Sequence, residues 1–401
     1  MQIGILHEGK IPQDKRVPFT PAQCIQLKVI HGIDVKVQSS NIRAYQDHEY
    51  EEAGIPVVEN VEDCDVLMGV KEVPKANLIP DKLYMFFSHT FKKQPYNRGL
   101  LQAILEKNIQ LVDYEALTNT KGERLVAFGK WAGVVGAYNA LRGWGKMTKT
   151  FELKPAHRCH DREEMNTELK DLHFAGNIKI VLTGQGRVAG GAIETLANAG
   201  IKYVSPEQFL SESFSYPVYT DLGVENYNQR KDGKSFKRSE FFHDPRPFIS
   251  TFAKYAAVAD IYIACHYWAS NAPFIFTRED AKQPDFKIKL VADVSCDIDG
   301  PVASTLRAST IDDPYYGYNV ITEQEVPFGQ PNSIGVMAID NLPCELPRDA
   351  SESFGADLLK SVVPCLLGED PDDVIWRASE TKDGMLTPHF AYLQDYVDGK
   401  A

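Results

Sequence analysis

The sequence predicts an α/β protein with two domains, each built around a mostly parallel sheet. Short apolar runs alternate with helical segments in the first third of the chain, which is typical of βαβ units. A second such series starts near residue 177, where a continuous apolar run is followed by a glycine-rich turn. The length of 401 residues suits two domains, and 43% hydrophobic with 24% charged residues excludes a disordered or collagen-like chain.

The first third of the chain supplies five predicted strands, at residues 2–6, 34–38, 66–70, 83–87 and 109–112. A helix is predicted between the first two strands, because Thr20 and Pro21 match an N-cap and first helical residue and Gly32 matches a stop. A second helix is predicted over residues 98–107. Residues 126–144 then predict a long helix rich in Gly and Ala, whose length suits a rod joining two domains.

The second α/β region begins at Asn177. Strands are predicted at residues 178–182, 201–204, 260–265 and 288–294, with a helix over 192–199. Residues 205–243 are polar and irregular, and we interpret them as an insertion over the domain surface. From about Ser333 the chain is predicted to be helical and to pack on the first domain. The expected domains are therefore residues 1–135 with 330–401, and residues 136–329.

The composition limits the partners and the location that we expect. Lys and Arg number 43 against 55 Asp and Glu, a net charge of −12, and no basic run offsets the repulsion from nucleic acid. The N-terminus lacks a basic segment followed by a long apolar one, and no stretch reaches about 20 uncharged apolar residues, so neither export nor membrane insertion is expected. Seven scattered cysteines without a CxxC pair indicate free thiols in a reducing cytoplasm.

The glycine-rich turn is the most informative local motif. Residues 184–189 read Gly-Gln-Gly-Arg-Val-Ala, directly after a predicted buried strand and at the start of a helix, which is the context of a dinucleotide-binding turn. The first glycine permits the tight turn, the second lets a pyrophosphate approach the helix N-terminus, and the alanine allows close helix–strand packing. The expected cofactor is NAD or NADP, held by Gly184, Gly186, Arg187, Val188 and Ala189.

The same motif does not separate the two cofactors. The acidic residue expected about 20 positions further on is missing, because Ser205 stands at the predicted strand end and Glu207 is the nearest carboxylate. The preference for NAD or NADP therefore stays open.

Three titratable residues, Lys71, His89 and Glu115, each follow the end of a predicted strand in the first domain. Ligands bind at that edge of open parallel sheets, so these side chains could meet over one crevice. Lysine and histidine become useful acid–base groups when they are partly desolvated. The alternative is that each is a solvated loop residue. Cations near the same edge would suit a substrate with several carboxylates; they are Arg16, Lys92 and Arg124.

Two further groups are interpreted structurally. Asp293, Asp297 and Asp299 superficially resemble a metal cluster, but without a partner histidine we favour loop and cap roles and expect no metal. His266 follows a predicted strand on the nucleotide side, where lining a cofactor cleft and ordinary packing are both open.

Several motifs resemble those of the lysine-forming saccharopine dehydrogenases. The likeness is closest to the lysine–2-oxoglutarate reductase half of bifunctional aminoadipic semialdehyde synthases, and it covers nearly the whole chain. The wider superfamily includes alanine dehydrogenase and the nucleotide-binding subunit of proton-translocating transhydrogenase. The motifs are Gly-Val-Lys at 69–71, Phe-Phe-Ser-His-Thr at 86–90, Val-Asp-Tyr-Glu at 112–115, Arg-Leu-Val-Ala-Phe-Gly at 124–129, Val-Leu-Thr-Gly-Gln-Gly at 181–186, Ala-Asp-Val-Ser at 292–295 and Ile-Asp-Asn-Leu-Pro at 339–343.

The resemblance implies two Rossmann-like domains with a cleft between them. Residues 1–135 with 330–401 would form the substrate and catalytic domain, and residues 136–329 the dinucleotide-binding domain. A second, glutamate-forming module is expected to be absent, since the chain ends at Ala401.

The resemblance also implies an activity. The expected reaction is the reversible NAD(P)-dependent condensation of lysine with 2-oxoglutarate to saccharopine, which acts on a CH–NH bond. Lys71 and His89 match the acid–base pair of the family. Further residues match positions that contact or surround the substrate, namely Arg16, Lys92, Glu115, Arg124, Phe128 and Asp340.

Two alternatives remain. An alanine dehydrogenase-like enzyme shares the lysine and the histidine but uses pyruvate, which has one carboxylate where saccharopine has three. A nucleotide-binding homologue without catalytic activity is the other, although Lys71 and His89 both stand in their motifs. A homo-oligomer is compatible with each interpretation.

Overall fold

The computed structural model describes residues 1–170, 172–174 and 176–400, in two compact units. The first unit comprises Met1–Phe128 and Pro347–Ala401, and the second comprises Gly129–Leu346. The expected boundaries at 135/136 and 329/330 differ from these. The long helix begins at Gly129, and residues 333–337 pair within the sheet of the second unit.

The elements follow one another as alternating strands and helices. The strands are β1 (Gln2–Ile5), β2 (Asp34–Gln38), β3 (Val57–Val58), β4 (Val66–Met68), β5 (Leu83–Phe86), β6 (Gln110–Asp113), β7 (Lys179–Thr183), β8 (Lys202–Tyr203), β9 (Val218–Leu222), β10 (Asn228–Arg230), β11 (Phe248–Ser250), β12 (Ile261–Ala264), β13 (Leu290–Asp293), β14 (Tyr316–Asn319), β15 (Glu325–Val326), β16 (Ser333–Met337), β17 (Ser379–Lys382) and β18 (Met385–Leu386). The α-helices are α1 (Pro21–His31), α2 (Asp47–Glu52), α3 (Arg98–Glu106), α4 (Gly129–Thr148), α5 (Arg162–Glu168), α6 (Arg187–Asn198), α7 (Pro206–Ser211), α8 (Val224–Tyr227), α9 (Arg238–His243), α10 (Ala253–Ala256), α11 (Arg278–Ala281), α12 (Pro347–Ser361), α13 (Val363–Leu366), α14 (Val374–Ala378) and α15 (Gln394–Val397). Short 3₁₀ segments lie at Lys75–Asn77, Thr90–Lys92, Pro95–Asn97, Tyr114–Ala116, Ala156–Arg158, Leu342–Glu345 and Pro388–Leu393.

The first unit contains an eight-stranded sheet in the order β18-β17-β6-β5-β4-β1-β2-β3. Strands β1 to β6 are parallel, and the C-terminal segment adds β17 antiparallel to β6 and β18 antiparallel to β17. The predicted helix before β2 is confirmed: Thr20 caps α1 in a capping box with Gln23, and Gly32 ends it at φ +64°. All parallel strand ends therefore point to one edge.

The second unit contains an eight-stranded sheet in the order β15-β14-β16-β13-β12-β7-β9-β8, parallel except for β14 and β15. A separate antiparallel pair joins β10 and β11. The predicted α/β class with mostly parallel sheets is confirmed. Among the described residues, no helix combines the length and apolarity needed to cross a bilayer.

The small residues of the long helix have a packing role within the second unit. A Cβ at Gly133 of α4 would lie 1.7 Å from the Val188 carbonyl oxygen, and one at Gly191 of α6 would lie 2.0 Å from that of Lys130. The backbones of α4 and α6 thus touch, and only glycine fits at these two positions. The expected rod between domains is instead a helix of the second unit.

Two predictions about this unit are wrong. Residues 205–243 are not a surface insertion, because they contain β9, a largely buried strand that lies between β7 and β8. Its residues Val-Tyr-Thr-Asp-Leu are half polar, so the strand lacks the continuous apolar run of a buried parallel strand. Residues 333–337, predicted helical, form the buried strand β16 between β13 and β14.

Candidate active site

The first unit collects ionisable side chains from the loops that follow β1, β4, β5 and β6. Glu8 lies at the centre of this cluster, and its carboxylate accepts hydrogen bonds from the backbone amides of Val70 (2.5 Å) and Lys71 (2.9 Å). Burial, together with the nearby charge of Asp14, raises the pKa of Glu8 from 4.5 to about 8. Glu8 is therefore a neutral acid at pH 7 that fixes the backbone of the Lys71 loop.

Arg16 is held in place by a buried carboxylate and an aromatic ring. Its Nε and Nη2 donate to the two oxygens of Asp14 at 3.0 and 2.5 Å, and its guanidinium lies 4.0 Å from the ring centroid of Phe128. Burial alone would raise the pKa of Asp14, but the Arg16 charge and hydrogen bonds hold it below its ordinary value. Asp14 and Phe128 together fix the orientation of the guanidinium.

Lys71 is largely buried beside these groups. Burial lowers its pKa, and the Arg16 charge lowers it further, while Asp14 and Glu72 act in the opposite direction. A lysine with a lowered pKa can give up and regain a proton closer to neutral pH.

His89 is oriented by Glu72, a residue that sequence analysis missed although it directly follows Lys71. The Nδ1 atom of His89 lies 2.7 Å from Glu72 Oε1, and Lys10 Nζ lies 2.5 Å from Glu72 Oε2. Although burial opposes ionisation, the bonds from His89 and Lys10 lower the pKa of Glu72 to about 2. An ionised Glu72 accepts a hydrogen bond from the Nδ1–H of His89. This leaves Nε2 of His89 to exchange protons with a ligand.

Two of the predicted cations share one carboxylate. Lys92 Nζ lies 2.8 Å from Glu115 Oε2, and Arg124 Nη2 forms an ion pair with Glu115 Oε1. The pKa of Lys92 is lowered by partial burial and by Arg124. Two cations against one anion leave an excess positive charge on this side of the cluster.

Behind this layer lies a fully buried carboxyl pair that sequence analysis also missed. Asp113, at the end of β6, accepts a hydrogen bond from the backbone amide of Ser88, and the single Ser88 hydroxyl lies within hydrogen-bonding distance of both Asp113 and Glu380 of β17. Asp113 is the second residue of the motif at 112–115 that ends in Glu115, and this proximity could have marked it. Glu380 offers no comparable clue in the sequence.

The glycine-rich turn of the second unit has the backbone geometry of an anion-binding helix start. Gly184 has φ +103°, and a Cβ there would lie 2.5 Å from the Cys265 carbonyl oxygen, so only glycine fits. Gly186 is the N-cap of α6 without a side-chain cap, and a Cβ there would meet no atom within 4 Å. Arg187 and Val188 are the first residues of α6, a position where backbone amides have no acceptor within the helix, and both line the adjoining cleft.

A cleft of about 620 Å³ adjoins this turn and is lined by Gly184–Val188, Gly223, Val224, Tyr227, Arg238, Phe242, Cys265–Trp268, Ser295 and Asp297. His266 lies in its wall, with Nδ1 2.8 Å from Thr183 Oγ1, and burial lowers its pKa to about 4. Its buried Nε2 has no hydrogen-bond partner among the described residues. The open turn and this polar atom fit a dinucleotide, and Ala189 is buried behind the turn as the motif requires.

The position expected to distinguish the cofactors is not at Ser205. Strand β8, which precedes Ser205, is the sheet edge, whereas β9 is the neighbour of β7. After β9 comes Glu225, whose carboxylate pairs with Arg238 Nε (2.8 Å) and Nη2 (2.6 Å). The same Nη2 lies 2.6 Å from Gln185 Oε1 in the glycine-rich turn. The carboxylate of Glu225 and the guanidinium of Arg238 thus lie together beside the glycine-rich turn.

The remaining candidates lie in the second unit. Asp340 follows β16 and is exposed. It belongs to the second unit, so it is not one of the first unit's ionisable cluster. Asp293 accepts hydrogen bonds from Ser295, Cys296 and Thr305, which is the expected loop role. Within the described residues, no three His, Cys, Asp or Glu side chains form a group that could hold a metal. All seven cysteines are free thiols.

Comparisons with known proteins bear on both units. Residues 4–135 match the family model of the alanine dehydrogenase/PNT N-terminal domain. The α-aminoadipic semialdehyde synthase of Rattus norvegicus, described as mitochondrial, is 31% identical over 95% of this chain and 46% of its own length. The NAD(+)-dependent, L-lysine-forming saccharopine dehydrogenase of Emericella nidulans is 27% identical, over 92% of this chain and 93% of the relative. This chain therefore spans less than half the length of the synthases that it matches.

Among solved structures, an L-alanine dehydrogenase superposes with a TM-score of 0.67 at 17% identity over 100% of both chains. The transhydrogenase from Sinorhizobium meliloti gives a TM-score of 0.57 at 14% identity, over 96% of this chain and 99% of that one. These two establish the fold alone. Residues 4–135 thus match the alanine dehydrogenase/PNT N-terminal domain, and nearly the whole chain is similar to the lysine-forming saccharopine dehydrogenases and to part of the α-aminoadipic semialdehyde synthases.

Proposed function

We propose that this protein is an NAD(P)-dependent oxidoreductase of the lysine-forming saccharopine dehydrogenase, or lysine–2-oxoglutarate reductase, type. The substrates would be lysine and 2-oxoglutarate in one direction and saccharopine in the other. One observation carries the proposal: the charge balance of the first unit's cluster. In the layer in front of the buried pair of Asp113 and Glu380, five cations stand against three ionised carboxylates, because Glu8 is neutral at pH 7. The cations are Lys10, Arg16, Lys71, Lys92 and Arg124, and the anions are Asp14, Glu72 and Glu115.

The positive excess favours a substrate with more than one carboxylate. Arg16 would hold one carboxylate, since Asp14 and Phe128 already fix its plane. Lys92 and Arg124 would hold a second substrate carboxylate while both remain paired with Glu115. Pyruvate has one carboxylate, so the substrate of the alanine dehydrogenase-like alternative would neutralise less of this positive charge.

The acid–base pair would serve imine formation. When the lysine amine attacks the keto carbon of 2-oxoglutarate, protons must leave the nitrogen and reach the departing oxygen. His89 would carry these protons on Nε2, while Glu72 holds its Nδ1. Lys71 would hold or release the proton of the secondary amine, which its lowered pKa permits. Holding both reactants in register is worth several kcal/mol by itself.

A dinucleotide would bind at the glycine-rich turn of the second unit. Gly184, Gly186 and the amides of Arg187 and Val188 would hold its pyrophosphate, with Ala189 packed behind them. When bound, it supplies or accepts the hydride of the reaction. Whether NAD or NADP is preferred depends on Glu225 and Arg238.

The test is the oxidation of NADH and NADPH, followed at 340 nm, with lysine and 2-oxoglutarate as substrates. A matched assay with pyruvate and ammonia addresses the alternative. Turnover with lysine and 2-oxoglutarate at the higher kcat/KM is the expected result. No turnover with either dinucleotide, or a higher kcat/KM with pyruvate and ammonia, would overturn the proposal.

A further inference from the structure

The buried pair of Asp113 and Glu380 lies directly behind the loop that carries His89. Asp113, Glu380 and the two hydroxyl residues between them, Ser88 and Thr90, have no exposed surface. Within the part of the chain that the structure describes, neither carboxyl forms an ion pair with a Lys or Arg. If both carboxyls were ionised, two negative charges would lie side by side without water or a cation. The desolvation and repulsion would cost far more free energy than their hydrogen bonds supply.

A count of hydrogens favours an extra proton in the cluster, because with both carboxyls ionised at most two of its oxygen–oxygen contacts can be hydrogen bonds. Four oxygen–oxygen contacts link its members: Ser88 Oγ lies 2.6 Å from Asp113 Oδ2, 2.6 Å from Thr90 Oγ1 and 2.9 Å from Glu380 Oε1, and Thr90 Oγ1 lies 2.5 Å from Glu380 Oε2. The two hydroxyls supply only two hydrogens, and an ionised carboxylate supplies none. A proton on one carboxyl provides the third donor.

The proton belongs on Glu380. Asp113 accepts backbone N–H groups from Ser88 (2.7 Å) and Glu115 (2.6 Å), and such bonds favour its ionised form. The partners of Glu380 are only hydroxyls, which can accept its proton as well as donate to it. Burial, and then the charge of Asp113, raises the pKa of Glu380 to about 8, and burial also raises the pKa of Asp113.

The local backbone shows why Glu380 reaches this place. The pairing of β17 with β6 shifts register between Ser379 and Thr381, so Glu380 sits at a β-bulge, a device that re-aims a side chain. On the other side of the cluster, His89 has φ +54°, an unusual backbone conformation for a residue other than glycine. Such a conformation persists only where neighbouring groups fix the loop, and Ser88 and Thr90 flank it.

We propose that Glu380, as a neutral carboxylic acid, is the positioning residue that holds the Ser88–Thr90 loop and thereby His89. The inference rests on the proposed role of His89 in the reaction. Ionisation of Glu380 would place a second negative charge beside Asp113 and loosen the loop. Other groups facing the pair from neighbouring elements are His89 and Lys92, which act on Asp113, and Tyr392 and Tyr396, with Arg98 against Tyr396.

The experiment compares Glu380→Gln, Glu380→Ala and the control Glu369→Gln, which changes an exposed glutamate of the same segment. An amide imitates the neutral acid, so Glu380→Gln should keep kcat near wild type at pH 7 and remove the loss of activity between pH 7 and 9. It should also flatten the fall in Tm as pH rises from about 4.5 to 8, although the contribution of Glu8 to that fall remains. Glu380→Ala should lower kcat by about 10²-fold through a displaced His89, while NADPH binding stays unchanged. Glu369→Gln should match wild type throughout.

Each outcome decides the matter. Equal damage by Gln and Ala, or a wild-type kcat and pH profile in the Ala variant, would overturn the proposal. If the Ala variant does not fold, the Gln variant decides alone, and an unchanged fall in Tm between about pH 4.5 and 8 counts against the proposal. If the wild type shows no turnover, the proposed function fails, whereas the Tm profiles of wild type and Glu380→Gln still test the neutral acid.

Discussion

Gly186→Val is the sharpest test of the dinucleotide site, because it separates ligand binding from folding. Gly186 has an ordinary backbone conformation (φ −93°), and a Cβ there would meet no atom of the protein within 4 Å. The fold should therefore lose only the N-cap preference of glycine over valine, about 1 kcal/mol of unfolding free energy. The valine methyls, however, would occupy the space where a pyrophosphate approaches the amides of Arg187 and Val188. Two hydrogen bonds to a charged group, at about 1.5–3 kcal/mol each, correspond to at least a 100-fold rise in the Kd for NADH or NADPH.

Two neighbouring glycines provide matched controls. Gly190→Ala places a Cβ on the exposed side of α6, where nothing lies within 4 Å, so it should stabilise the helix by about 0.5–1 kcal/mol and leave the Kd unchanged. Gly184→Ala should instead destabilise the fold by several kcal/mol, because its Cβ would lie 2.5 Å from a carbonyl oxygen at φ +103°. Fluorescence titration with NADH and NADPH gives the Kd, and urea unfolding gives the stability. A Gly186→Val protein that binds either dinucleotide with the wild-type Kd would refute the assignment of this turn.

The remaining predictions concern acid–base groups and cofactor choice. Lys71→Met and His89→Gln should each lower kcat by about 10²–10⁴-fold in the steady-state assay without changing dinucleotide affinity, and the double variant should be less impaired than the product of the singles. Loss of dinucleotide binding instead would contradict the assignment. Glu8 should make the unfolding free energy fall as pH rises from about 4.5 to 8, because its folded pKa is raised and the native state holds a proton that the unfolded chain releases. Urea unfolding of Glu8→Gln across this range should show a flatter profile, and an unchanged slope would count against a neutral Glu8. Arg238→Ala should raise the Kd for NADPH about tenfold relative to that for NADH, since the guanidinium lines the cleft beside Gly223 and suits a 2′-phosphate; equal effects on both would show that Arg238 contacts neither ribose.

The fold class followed from local patterns, and the errors have local causes too. Strand β7 is a continuous apolar run before a glycine turn, and both features are visible within ten residues. Strand β9 is also largely buried, but Thr220 and Asp221 interrupt its apolar pattern. In the sheet it lies between β7 and β8, although in the chain it comes after β8. Periodicity could not reveal that order. The missed strand also affected the search for a cofactor-selecting acid, because Glu225 follows β9, whereas Ser205 follows the edge strand β8.

The site was predictable where the chain itself brings groups to a strand end. The rule that parallel strands end at one edge placed Lys71, His89 and Glu115 together, and the structure brings all three into the first unit's cluster. Glu380 had no such clue, because it lies 290 residues after Thr90 in the chain and arrives on an antiparallel strand through a bulge. From sequence alone, a buried glutamate cannot be distinguished from an exposed one, because its burial depends on residues distant in the chain.

The neutral acids explain how an acidic protein can keep a cationic site. The chain carries a net charge of −12, so a pocket for carboxylates must be protected from the charge of its own scaffold. Ionised Glu8 would cancel one of the two excess cations, and ionised Glu380 would add a second buried charge behind His89. Burial prevents both below about pH 8 by raising their pKa values, while Asp14 and Glu72 remain ionised because Arg16, His89 and Lys10 hold them. Each carboxyl is thus assigned its charge by its immediate partners. Under the proposed function, the positive excess that would draw in 2-oxoglutarate depends on keeping Glu8 protonated, and the position of His89 depends on keeping Glu380 protonated.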